Sequence, residues 1–217
     1  MKTLYAKEHI TLQEEFESRG MADLMDQGIA HETLTEDDKA FIASRDMFFL
    51  SSVDPEGMPT VSYKGGPVGV VSIIDDTTIG FPGYDGNGMF YSAGNIAGQG
   101  KVGLLFIDFE TPHRLRVQGT ATYHRAHPLM RYYPESQYFI TVAISRIWQN
   151  CPRYVHRYKK LETSYYVPGE CKTTPMASWK RIDVVQDVIK AAEREQAKKE
   201  GIIDLDSWID MVKSGKA

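Results

Sequence analysis

Over residues 1–45 the apolar positions recur every three to four residues. Leu12, Phe16 and Arg19 share that spacing, and Leu24, Met25 and Ile29 form a second stripe within Met21 to Ile29, the period of amphipathic helices. Thr35-Glu36-Asp37-Asp38 has the form of a capping box, with Asp38 in place of the usual Glu. It predicts a short helix that buries Phe41 and Ile42. At Met47 the period changes. Phe48 to Val53 is an aromatic, β-favouring run ended by the turn Asp54-Pro55-Glu56-Gly57. Thr60 to Lys64, Gly69 to Ile74 and Thr77 to Phe81 follow as short strands, with Asp75-Asp76 as the turn between the last two. Such a meander predicts a barrel or sandwich.

Asn87 to Ala97 interrupts the strands as a predicted helix with Asn87 as its cap. Val102 to Phe109 is a nearly continuous apolar run, read as a strand buried on both faces, and Arg114 to Tyr123 returns to alternation. Tyr138 to Trp148 carries Ile140, Ile144 and Ile147 at helical spacing and is read as a helix. Val167 to Lys180, with Pro168, Gly169 and Pro175, is read as a loop. Asp183 to Lys199 is read as a charged amphipathic helix and Leu205 to Val212 as another. The expected architecture is mainly β with helical extensions (α+β). A helical segment spans 1–45, a barrel core 46–150, and a carboxy-terminal loop and helices 151–217 that pack on the core.

Composition narrows the function classes. The 217 residues are 42% hydrophobic and 25% charged, enough apolar material for a core. A formal net charge of -4 argues against a general nucleic-acid grip, which needs a surplus of Lys and Arg. The first residues, Met1 to His9, carry a cation but no apolar h-region, so no signal peptide is expected. No run approaches the ~20 apolar residues of a spanning helix. Cys151 and Cys171 form no CxxC pair, which speaks against a disulfide framework or a structural zinc and fits a reducing cytoplasm.

Three segments carry candidate chemistry for a phosphorylated planar ligand. In Ser62-Tyr63-Lys64-Gly65-Gly66-Pro67, strand alternation points Ser62 and Lys64 to one face and Tyr63 to the other. A hydroxyl and an ammonium together suit a phosphate, and the glycines admit close backbone approach. In Arg114-Leu115-Arg116-Val117 both guanidinium groups share a side. Asn87 to Asn95 joins a helix start to the side chains of Asn87, Ser92 and Asn95, a ready anion site. Each segment also has a plain structural reading: Lys64 as a solvated charge, the arginines as ion-pair partners of Asp108 or Glu110, and Asn87 as a simple cap.

Taken in order, these segments resemble the pyridoxamine 5'-phosphate oxidase-related FMN-binding family. The resemblance runs through Phe48-Phe49-Leu50-Ser51-Ser52, Pro59 to Pro67, Gly86-Asn87-Gly88-Met89, Ser92 to Ile96, Val102 to Phe109 and Arg114 to Gly119. Gln149-Asn150-Cys151-Pro152-Arg153-Tyr154 resembles one subgroup. The resemblance implies a split β-barrel that forms a homodimer with FMN at the subunit interface. Ser62, Tyr63, Lys64, Gly65, Asn87, Ser92, Asn95, Arg114 and Arg116 then occupy flavin-binding positions. The family's namesake carries a Ser-Arg-Lys cluster at the helix start, where this chain has Ser92-Ala93-Gly94-Asn95. Lys64 and the arginines are left to neutralise more of the phosphate, and the namesake's substrate is not carried over.

Other signals are set aside. Gly98 to Gly103 matches GxGxxG but follows a helix and precedes a strand, the reverse of a dinucleotide fingerprint. His124 and His127 read as exposed turn residues, and Cys151 as a buried, inert thiol. The tyrosines and cations between Arg131 and Tyr166 read as packing at a dimer seam, with Trp148 and Arg153 near the partner's flavin. The expected function is an FMN-dependent oxidoreductase acting on a small molecule, with NAD(P)H among the candidate donors. The alternative is a non-catalytic protein that stores or senses flavin or haem.

Overall fold

A computed structural model of the chain describes residues 3–169 and 173–215. Cys171 and the first two residues of the amino terminus lie outside the described residues. The chain divides after Glu162 into two compact units. In the first, three short helices, α1 (Lys7–Glu15), α2 (Arg19–Gly28) and α3 (Glu36–Ala43), precede four strands. These are β1 (Met47–Val53), β2 (Pro59–Gly65), β3 (Ser72–Asp75) and β4 (Thr78–Gly83). Helix α4 (Tyr91–Gln99) separates them from β5 (Lys101–Asp108), β6 (His113–His124) and β7 (Tyr138–Asn150). The predicted capping box is present: Thr35 Oγ1 accepts from the Asp38 amide, and the Thr35 amide donates to Asp38 Oδ2. Ile42 is fully buried and Phe41 partly so.

The seven strands form one antiparallel sheet in the order β2-β1-β5-β6-β7-β4-β3. Phe48 on β1 and Phe81 on β4 meet edge to face at 5.0 Å, although three strands separate theirs in the ladder. The sheet is therefore rolled around its apolar face. Leu50, Leu104, Phe106, Leu115, Val117 and Val142 fill the interior. The two ends of the sheet, β2 and β3, are not paired with each other. A rolled sheet left unsealed is the split barrel that the resemblance implies.

Several elements differ from expectation. Tyr138–Asn150 is a strand, not a helix, and the reason is a bulge. Gln118 pairs with Arg146 but Gly119 with Ile144, so Ser145 is an extra residue in β7. Strand alternation places 140, 142 and 144 on one face, and the inserted residue brings 147 back to that face. Bulged period two thus mimics the helical spacing of Ile140, Ile144 and Ile147. Within β5, Val102, Leu104 and Phe106 are buried while Gly103 and Leu105 are half covered, so one face is more open than expected. Helix α4 begins at Tyr91 rather than at Asn87.

The second unit contains single 3-10 turns at Ser178–Arg181 and Asp183–Val185, then α5 (Ala191–Glu200) and α6 (Leu205–Lys213). The long helix expected from Asp183 is broken. Val184, Val185, Val188 and Ile189 crowd its first half with β-branched side chains, which are poor helix formers. The Val167 to Lys180 loop closes in the first 3-10 turn, and its residues 170–172 lie outside the described residues. Lys180 is buried here and pairs with Glu193 at 2.8 Å. Among the described residues no helix is long and apolar enough to cross a membrane.

Candidate functional site

A cavity of about 470 Å³ opens between β2, at one end of the sheet, and β4, near the other. Its polar wall comes from β2. The register pairs Ser62 with Leu50 and Lys64 with Phe48, so both polar side chains sit on the same sheet face as buried apolar residues. Lys64 is half-buried, and burial alone lowers its ammonium pKa from the usual lysine value. It has no ion pair among the described residues. Such an ammonium is costly unless an anion accompanies it.

The start of α4 completes that wall. Ser92 Oγ lies 3.1 Å from Ser62 Oγ. Phe90 occupies the N-cap position in the left-handed region, at φ 49 and ψ 27, and no side chain caps the helix. A left-handed aromatic residue is rare and strained. The amides of the first turn are left for an external acceptor. Asn87 is not the cap. Its Oδ1 accepts from the Met89 amide at 3.1 Å, which builds a turn before the helix while Asn87 lines the cavity.

The remaining candidates divide. Gly65 lines the cavity, but the space its missing side chain frees is taken by the Tyr63 ring, whose Cε1 would lie 2.7 Å from a Cβ there. Tyr63 also borders the cavity and is 62% exposed. Asn95 is buried away from it and donates to Ser52 Oγ at 3.1 Å, fixing α4 to β1. Arg114 and Arg116 do not converge with Lys64 within one protomer. Lys64, Phe48, Phe106 and Leu115 follow one another across the ladder on the inner face, and the arginines flank Leu115 on the outer one. They are not ion-paired to Asp108, which pairs with Arg45 at 3.2 Å. Arg114 donates to the Cys151 carbonyl, and the Arg116 guanidinium lies 6.0 Å from the Trp148 ring.

Sequence reasoning missed Tyr84, Asp85, Phe90 and Tyr138, which also line the cavity. For the first three, the aromatic and glycine-rich stretch from the end of β4 to Phe90 was the available signal. Asp85 adds one carboxylate, to which Gln137 Nε2 donates at 3.1 Å. The histidine pair and Cys151 also differ from expectation. His124 bonds Thr141 Oγ1 at 2.8 Å and His127 stacks on Phe139 at 4.6 Å, so neither is a free turn residue. Cys151 is exposed rather than buried. Among the described residues no cluster of three or more His, Cys, Asp or Glu side chains has the form of a metal site.

A family model described as pyridoxamine 5'-phosphate oxidase matches residues 34–158, more than half of the chain and all of the sheet. The chain belongs to the pyridoxamine 5'-phosphate oxidase family. The match takes in the whole cavity and both arginines of β6, so the family's core and the candidate site coincide. No curated protein matches the chain. Among solved structures it is similar to HupZ of Group A Streptococcus, at 19% identity over 58% of this chain and 99% of that one, with a TM-score of 0.44. An FMN-binding protein from Syntrophomonas wolfei is 14% identical over 65% and 96%, with a TM-score of 0.41. HutZ, the heme storage protein of Vibrio cholerae, is 17% identical over 54% and 94%, with a TM-score of 0.38.

Proposed function

We propose that this chain binds FMN and acts, as a homodimer, as an oxidoreductase on a small molecule, with NAD(P)H among the candidate electron donors. The observation that carries the reading is Lys64, a half-buried ammonium with no ion pair among the described residues, in a cavity shared with the Ser62 and Ser92 hydroxyls and the uncapped start of α4. That donor set fits a phosphate tail, and 470 Å³ lies within the ~300–1,000 Å³ typical of small-molecule sites. Lys64 and Ser62 would hold the phosphate, Ser92 and the first amides of α4 would orient it, and the aromatic wall would exclude water from the ring. The bound flavin supplies hydride and electron transfer. Cys151 is a free thiol, in keeping with a cytoplasmic setting.

Because Arg114 and Arg116 face outward, they reach such a phosphate only from a second copy. The outer face of β2 supports that arrangement, since Val61 and Tyr63 stand 67% and 62% exposed there. Haem is the competing prosthetic group. Its iron takes His, Cys, Met or Tyr, and of these, among the described residues, only Met89 and tyrosines line the cavity.

An absorbance spectrum of the purified protein, followed by FMN titration, tests the reading. Flavin bands with a Kd that rises about 10- to 100-fold in Lys64→Met are expected, from the ~1.5–3 kcal/mol of a charge-assisted hydrogen bond. A Soret band, or no uptake of added FMN, would overturn it.

A further inference from the structure

The polar groups of the cavity are unevenly satisfied. Ser62 and Ser92 bond each other, and Tyr91 Oη donates to Asp54 Oδ2 at 3.3 Å. Tyr84 stands apart. It is half-buried and lines the cavity, yet its hydroxyl makes no hydrogen bond among the described residues. Its neighbour Tyr133 is satisfied, with Oη 2.6 Å from Ser72 Oγ and 3.4 Å from the Gly69 carbonyl. Burial pushes the Tyr84 phenol up to about 12, with Tyr133 and Glu135 adding to the effect. The group is therefore a neutral donor at any physiological pH.

The position of Tyr84 separates it from the anion end. Ser62, Lys64 and Gly66 are successive residues of one parity along β2 and its continuation. Ser62 touches Ser92 at one end of this row. At the other, a Cβ on Gly66 would lie 3.7 Å from Tyr84 Cε2. At about 3.3 Å per residue the two ends are roughly 13 Å apart. With the phosphate at the Ser62 and Ser92 end, Tyr84 belongs to the end that receives the uncharged part of the ligand.

We propose that Tyr84 is a ring-binding residue: resting on the flavin reading above, its hydroxyl donates to an acceptor atom of the isoalloxazine edge and not to the phosphate. A donor that a bound ligand screens from the water of the cavity needs such an acceptor. Tyr84 therefore selects for planar ligands that offer a carbonyl oxygen or ring nitrogen there, whether or not they carry a phosphate.

Riboflavin, which lacks the phosphate, separates the two ends of the site. FMN and riboflavin are titrated by flavin fluorescence into the full-length wild type, Tyr84→Phe and Lys64→Met. Tyr84→Phe is expected to weaken both ligands by the same factor, about 3- to 10-fold, the range of one neutral hydrogen bond. Lys64→Met is expected to weaken FMN at least about tenfold and to leave riboflavin within about twofold. Wild-type affinity for both ligands in Tyr84→Phe, or a loss confined to FMN, overturns the assignment of Tyr84 and leaves the flavin reading standing. A wild type that binds neither ligand overturns the flavin reading and this inference with it.

Discussion

Lys64 shows how one residue couples charge to fold. Its ammonium is less favourable in the folded protein than in water, because the strand that presents it also sets it opposite buried Phe48. The sign of the consequence follows from linkage. Between the lowered folded value and the ordinary 10.5, the unfolded chain keeps the Lys64 proton and the folded chain does not. Stability of the ligand-free protein therefore gains with rising pH in that window. The expected result is a Tm difference between wild type and Lys64→Met that shifts in favour of wild type as pH climbs towards 10.5. A bound anion should reverse the preference by favouring the ammonium. Differential scanning fluorimetry across pH, with and without inorganic phosphate, checks both; a pH-independent difference would contradict the account.

Strand β7 carries the lesson at the scale of the element. Its bulge needs Gly119, where a Cβ would come within 2.3 Å of the Ala143 carbonyl oxygen. Gly119→Ala is expected to cost about 1–3 kcal/mol in urea unfolding, whereas an equal midpoint would show that the ladder simply yields. The same bulge explains why the spacing in β7 reads as helical. A local window records spacing, and spacing alone cannot tell a helix from a strand with an extra residue. Much else was legible locally: the Thr35 capping box, the strand meander from Met47, and the shared face of Ser62 and Lys64. The start of α4 was not, because Asn87 spends its capping chemistry on a turn. That Lys64 and the β6 arginines face opposite ways follows only from the order of strands between them, and strand order is a non-local property.

For the whole molecule the decisive property is that a single copy presents the two sets of cations on opposite faces of one sheet. If two copies join through the outer face of β2, Tyr63→Glu should shift the protein to monomer in sedimentation velocity and weaken FMN binding in parallel. A dimer that persists, or a monomer with undiminished affinity, would place the interface or the arginines elsewhere. The unpaired gap between β2 and β4, where the cavity opens, also bears on how a ligand moves. Since no ladder joins those two strands, entry and exit can proceed with every interstrand backbone bond intact. Loading should then leave slow deuterium uptake in β5, β6 and β7 unaltered while protecting the amides of β2 and the α4 start: a container that is filled without being unlaced.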